Sequence, residues 1–361
     1  MAATGTRLVD GRWRLLLVEL SIPAVAIGIG LVLGAAVIVV AGAGPLESYA
    51  ALANGAVGSP AAVAATLLRS LPIVVAGVGI GLAFRAGAFN LGGEGQMILG
   101  ALSSALAANA LPGLPGPLAI MLGLGAGALA GAAWAVVPAL LQVRLAIPIL
   151  ITSLLLNYVG NLLAAYAVAW PFRDLSGGAA VAQTAMIPEA FWLPVLVPGL
   201  RLHAGVLLLV VLPLVVFWLL RRTVLGYELR MVGANPAFAE YGGVHAGRTV
   251  VLSMVLSGAI CGIGGSLLVL GLNHRYTDTM ITSAGFAWSG FIAAILAVAN
   301  PLLTLVAGLL LGALQVGAAA MARTTTVPLQ AVDVVQATII LVVAARPGIR
   351  AWLRQALALG R

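Results

Sequence analysis

Long apolar runs alternate with short polar joints along nearly the whole chain. A run of about 18 or more apolar residues is long enough to cross the hydrocarbon of a bilayer as a helix. Read this way, the pattern predicts helices over 20–43, 61–84, 89–110, 118–143, 146–170, 204–220, 249–272, 286–299, 301–322 and 328–345. The first apolar run, 22–43, exceeds the roughly 7–15 residues of a signal-peptide core, so it is expected to stay as a membrane helix. Two joints are long. Residues 171–203 are polar and proline-rich, and Arg221–Arg248 is the largest charged insertion. The expected class is an all-α polytopic membrane protein of about ten transmembrane helices, some of them broken by glycine.

Composition agrees. Hydrophobic residues make up 62% of the chain and charged residues 8%, where a soluble domain carries about 25% charged. The net charge of +8 comes from arginine alone, because the sequence contains no lysine. That absence excludes a Walker A loop, whose lysine sits on the phosphates. The arginines are spread among the joints between apolar spans instead of forming a solvated patch, which argues against a nucleic-acid partner. With the N-terminus inside, thirteen of the eighteen arginines fall on the inner side, so both termini are expected in the cytoplasm. Arg69 falls within a span and is expected to snorkel or pair. The lone Cys261 lies in an apolar run and reads as packing.

One stretch breaks the apolar rule. Residues 84–101 bring Arg85, Asn90, Glu94 and Gln96 among five glycines. A charged group at a helix centre costs roughly 2.5–3.5 kcal/mol on insertion scales. Such a set is tolerated where the backbone opens onto water, a partner or a carried molecule. These residues therefore have two readings: they line a path, or they bond backbone groups freed at a helix break. Asn157 has the same pair of readings, and Trp288 is either path lining or an interfacial anchor. Elsewhere, glycines at 123/127/131 and 308/312 have helix spacing and indicate close helix contact. The glycine pattern at 125–130 lacks a preceding strand and is no dinucleotide fingerprint. The three histidines sit at predicted membrane edges with no zinc spacing, and no carboxylate pair stands within a span.

In the long charged joint, Asn235-Pro236 is suited to start a short helix and Gly242-Gly243 to end it. Phe238 and Tyr241 would share one face.

The pairing of Phe89-Asn-Leu-Gly-Gly-Glu-Gly-Gln96 with Gly233-Ala-Asn-Pro-Ala-Phe-Ala-Glu-Tyr-Gly-Gly-Val244 resembles the permease subunits of bacterial ABC importers for nucleosides and simple sugars. Within that group the resemblance is to the longer of the two paralogous nucleoside permeases. Leu154–Tyr158 and Gly285–Leu296 extend it, so it covers about residues 60–345. It implies a single transmembrane permease domain over 1–361, with a cytoplasmic coupling segment 221–248, an external segment 171–203 and residence in the bacterial cytoplasmic membrane. It implies a substrate pathway through Phe89, Asn90, Glu94, Gln96, Asn157 and Trp288. It also implies contact with a separate ATPase through Glu228, Arg230, Gly233, Asn235, Pro236, Glu240, Tyr241 and Gly242. The chain itself would be no enzyme and carry no cofactor or metal, ATP and magnesium being used by the partner ATPase. A second permease subunit and an external substrate-binding lipoprotein would complete the importer. The sequence departs from the family pattern at Leu145-Ala-Ile-Pro-Ile149, where polar residues are usual. With amides, hydroxyls and aromatics and no arginine fork, the polar set suits a neutral cargo that stacks. A pentose or hexose permease is the alternative. A secondary transporter with Glu94 or Asp333 as proton carrier is the rival from another class.

Overall fold

The structure is a computed structural model that describes residues 28–176 and 181–325 together with Val327, Asp333, Val334 and Ala337. The helix expected over 328–345 lies almost wholly outside the described residues. Helices α1 (Gly28–Val40), α2 (Pro45–Val57), α3 (Pro60–Phe84), α4 (Gly93–Ala110), α5 (Gly116–Leu145) and α6 (Ile149–Ala169) come first. After a short hairpin of β1 (Val195–Val197) and β2 (Leu202–His203) follow α7 (Leu208–Arg222), α8 (Val224–Ala234) and α9 (Pro236–Tyr241). The described chain closes with α10 (Ala246–Leu268), α11 (Phe286–Leu296) and α12 (Pro301–Thr324). Among the described residues six helical spans are long and apolar enough to cross a membrane, or seven if α1 and α2 make one bent span.

Residues 63–313 form one compact unit. Its centre is α3, buried on all sides from Ser70 to Ala83, as expected of a helix that is apolar all round. Against it and α4 packs α10, which meets α5 along a glycine seam. A methyl on Gly131 of α5 would lie 2.9 Å from Gly262 Cα of α10, and one on Gly127 would lie 2.9 Å from the Gly100 carbonyl of α4. The spaced glycines thus let three backbones touch, where dispersion between helices replaces a hydrophobic drive that lipid does not supply. Gly308 in α12 faces Val74 of α3 in the same manner. α10 ends in one turn of π-helix, Val269–Asn273.

Residues 171–176 and 181–203 fold over the end of α10. Gln183 bridges to Thr277, Arg275 pairs with Asp174 at 3.7 Å, and Trp192 stacks on His274 at 4.0 Å. His203 is buried with its Nδ1 accepting from the Gly205 N–H at 3.2 Å. Burial, with a smaller contribution from nearby His274, lowers its pKa to about 4. Hydrogen bonds from the Ser176 side chain and backbone hold the Asp174 carboxyl below its usual range, with Arg275 adding to the effect.

In the second unit, the described residues are 28–62 and 314–325 with the isolated positions beyond. Here α1 and α2 meet at 116°, and the Tyr49 hydroxyl donates to the Leu31 carbonyl. α2 was not expected from the apolar pattern, because Glu47, Ser48 and Asn54 dilute it. Pro45 at its first turn and Glu47 near its N-terminus are the features that start it. The C-terminal part of α12 packs on α2 through Ala320 at Gly55.

Candidate functional site

The irregular stretch between α3 and α4 is held by side-chain amides. α3 ends at Phe84, and residues 85–92 run without helix. This corrects the expected helix start at 89. The physical reason is Asn90, whose side chain takes over bonds that helix backbone would have made. It is fully buried, 0% exposed. Its Oδ1 accepts from the Gly92 N–H at 2.9 Å and from Gln96 Nε2 at 3.1 Å. Its Nδ2 donates to Gln96 Oε1 at 3.0 Å and to Ser257 Oγ of α10 at 2.8 Å. From α6, Asn157 Oδ1 accepts from the Gly95 N–H at 2.9 Å, and its Nδ2 donates to the Leu91 carbonyl at 2.8 Å. One turn earlier, Ser153 Oγ accepts from the Leu91 N–H at 3.1 Å. Asn90 and Asn157 therefore satisfy the broken backbone at Leu91, Gly92 and Gly95, and the buried Gln96 completes the bonding of Asn90. An unsatisfied buried group of this kind costs about 1–3 kcal/mol.

Phe89, Glu94 and Trp288 stand elsewhere, on a partly open face. Glu94 lies in the first turn of α4, where the positive end of the helix favours a carboxylate. Trp288 Nε1 of α11 donates to Glu94 Oε2 at 2.9 Å. The Trp288 ring, 44% exposed, meets Phe291 edge-on at 6.1 Å, and Phe291 meets Phe84 edge-on at 5.9 Å. Phe84 in turn touches Phe89, 54% exposed, at 5.1 Å. Four aromatic rings thus run in contact from Phe89 to the carboxylate. Ile80, Leu91, Glu94, Trp288 and Phe291 wall a narrow cleft of ≈ 10 Å³, about the room one water needs.

Sequence reasoning named one set of six; the structure places three in the network and three on the aromatic face. It missed Phe84 and Phe291, although both lie in the stretches already singled out and a count of aromatics there would have found them. Ser153 and Ser257 carried no local signal, since their partners are 62 and 167 residues away.

In the charged joint α9 folds as expected, preceded by α8, which was not expected. Thr223 Oγ1 caps α8 by accepting from the Gly226 N–H, and Asn235 Oδ1 caps α9 by accepting from the Phe238 N–H at 3.1 Å. Pro236 occupies the first turn of α9. Gly243, at φ +83°, closes the helix in a left-handed conformation, and the Val244 N–H reaches the Ala239 carbonyl at 3.0 Å. Tyr241, 92% exposed, and Phe238 stand outward, while Ala239 is buried. Gly242 is exposed with Glu240, Glu228 is half-buried, and Arg230 Nε donates to the Gly226 carbonyl at 3.2 Å. Gly233 is pressed against the loop after α3: a Cβ there would overlap the Arg85 carbonyl.

Two arginines near membrane depth are accounted for by the protein. Arg69 Nη2 donates to the Ala284 carbonyl at 3.0 Å, and its guanidinium lies 4.4 Å from the Phe286 ring centre. Arg85 Nε donates to the Ala299 carbonyl at 2.8 Å and its Nη2 to the Val298 carbonyl at 3.1 Å.

Apolar spans around a polar helix break, with a capped helix between two of those spans, define a multi-pass membrane protein. Residues 62–344 match the family model described as branched-chain amino acid transport system / permease component, and the chain belongs to that family. It is 29% identical over 332 residues to the guanosine ABC transporter permease protein NupP of Bacillus subtilis, covering 92% of this chain and 95% of that protein. Identity to the nucleoside ABC transporter permease protein NupB of Lactococcus lactis is 30% over 344 residues, 94% of each chain. A glucose ABC transporter permease protein of Haloferax volcanii, TsgB13, is 29% identical over 329 residues, 88% of this chain and 85% of that one.

Proposed function

We propose that this chain is the membrane permease of an ATP-driven ABC importer that carries a nucleoside, or a related neutral polar molecule, into a bacterial cell. The observation that carries the reading is the near-complete mutual coverage with two permeases named for guanosine and nucleosides. The chemistry of the open face supports it. Phe89 and Trp288, joined by Phe84 and Phe291, offer flat faces to a nucleobase, and Glu94 offers an acceptor to its N–H groups or to a ribose hydroxyl.

In this reading the whole chain works as one permease domain of about ten spans with both termini in the cytoplasm. The segment 221–248 is cytoplasmic, 171–203 is external, and the membrane is the bacterial cytoplasmic one. α9 docks into a cleft of a separate ATPase, with Glu228, Arg230, Gly233, Asn235, Pro236, Glu240, Tyr241 and Gly242 at or behind the contact. ATP and magnesium belong to that subunit, and this chain holds no cofactor. A second, paralogous permease subunit and an external substrate-binding lipoprotein complete the complex.

The test is uptake by proteoliposomes holding the full complex, with radiolabelled guanosine, other nucleosides, ribose and glucose. ATP-dependent nucleoside accumulation is expected. Accumulation of glucose alone would favour the sugar reading, which the glucose permease relative keeps open. Uptake driven by a pH gradient without ATP would replace it with a secondary transporter.

A further inference from the structure

We infer that Arg85 is a positioning residue that carries motion of the cytoplasmic α8–α9 segment to the aromatic wall of the path. The inference rests on the coupling role proposed for that segment. Arg85 stands between two elements, the end of α8 and the end of α11. Its backbone carbonyl is the atom against which Gly233, at the end of α8, is packed, so closely that no side chain fits between. Its guanidinium points the other way and holds the carbonyls of Val298 and Ala299 at 3.1 and 2.8 Å.

Those two carbonyls form the end of α11. The Val298 N–H donates to the Ile295 carbonyl at 2.9 Å and the Ala299 N–H to the Ala294 carbonyl at 2.8 Å, so the turn moves with the helix. Both residues have left-handed φ, 51° and 53°, a conformation that side chains resist and that needs outside contacts to persist. The guanidinium supplies them, with two donors in a fixed fork aimed at adjacent acceptors. α11 is also the helix that carries Trp288 and Phe291 to Glu94. A displacement of Gly233 therefore meets the Arg85 backbone directly, and the Arg85 side chain transfers it to the far end of the helix that forms the wall. The adjoining Gly87, at φ +75°, gives the loop a turn that allows such a shift.

The experiment uses the full complex in proteoliposomes and reads two rates, ATP hydrolysis and cargo uptake. For Arg85→Ala, hydrolysis should stay within twofold of wild type while cargo moved per ATP falls at least tenfold. Arg85→Lys keeps the charge but not the fork, and should recover part of that ratio. An unchanged ratio in both variants overturns the inference, as does equal loss of both rates in an assembled Arg85→Ala complex. If Arg85→Ala does not assemble, Arg85→Lys decides alone: a reduced ratio supports the relay and a wild-type ratio ends it. Glu240→Arg separates this from the reading beneath it. If that variant assembles and hydrolyses ATP normally with normal uptake, the coupling segment itself is misassigned, whatever Arg85 does.

Discussion

Asn90 and Glu94 are four residues apart, yet one is sealed inside the protein and the other faces an open cleft. The difference follows from what each group can bond. An amide carries both donors and acceptors, so it can close a broken stretch of backbone from either side, as Asn157 does between the Leu91 carbonyl and the Gly95 N–H. An ionised carboxylate only accepts, so it cannot quiet a carbonyl. Glu94 takes the Trp288 N–H and lines the cleft beside it. Polarity inside a membrane thus divides into groups that hold the break and groups that can meet cargo.

The strongest way to break that division is Asn90→Leu. It strands Gln96, Ser257 and the Gly92 N–H, and at about 1–3 kcal/mol for each orphaned group the loss should exceed 3 kcal/mol. The expected outcome is a large fall in melting temperature and in monodisperse protein in detergent. Near-wild-type melting would move Asn90 from the scaffold to the path.

A pH titration applies a stress that the amide network, which has no titratable group, should not feel. His203 has a folded pKa of about 4 against an ordinary value of 6.5. The unfolded chain therefore binds the extra proton between those values. Its neutral burial is fully favourable above pH 6.5, and stability is lost as pH falls toward 4. At pH 5 the loss is about 2 kcal/mol. Melting of the wild type should drop between pH 7 and 5, and His203→Phe should flatten that slope. An equal slope in the variant would assign the loss to another group.

Glu94→Gln is the reverse of the first test. Melting should change by less than about 2 °C while uptake falls roughly tenfold, about 1.4 kcal/mol. Unchanged uptake would make Glu94 idle. Smallest of all, Trp288→Phe keeps a ring and removes the N–H, so uptake should fall only about threefold. The alanine variant should fall further. Equal uptake in both would mean that no stacking surface is used.

Much of this was open to reading from residue order alone. The spans at 61–84, 118–143 and 301–322 were legible because they are apolar along nearly their whole length, and α9 was legible because Asn-Pro and Gly-Gly mark its ends. α2 was not, since a helix that mixes Glu47, Ser48 and Asn54 with alanine has no apolar signature. Nor could order alone separate Gln96 from Glu94. Which of them faces the cleft depends on partners contributed by α6, α10 and α11, remote in sequence and silent in any local pattern.

The eleven residues of α11 reach only about 16 Å at the usual rise, roughly half the hydrocarbon thickness. The peptide groups before and after it must be sheltered by neighbouring chain, because lipid offers them nothing. A full-length span answers a thicker or thinner bilayer by tilting, but a sheltered half-span has no lipid boundary to answer to. Changing acyl-chain length should therefore reach α11 only through the neighbouring elements that hold it, by way of Arg85 and Glu94.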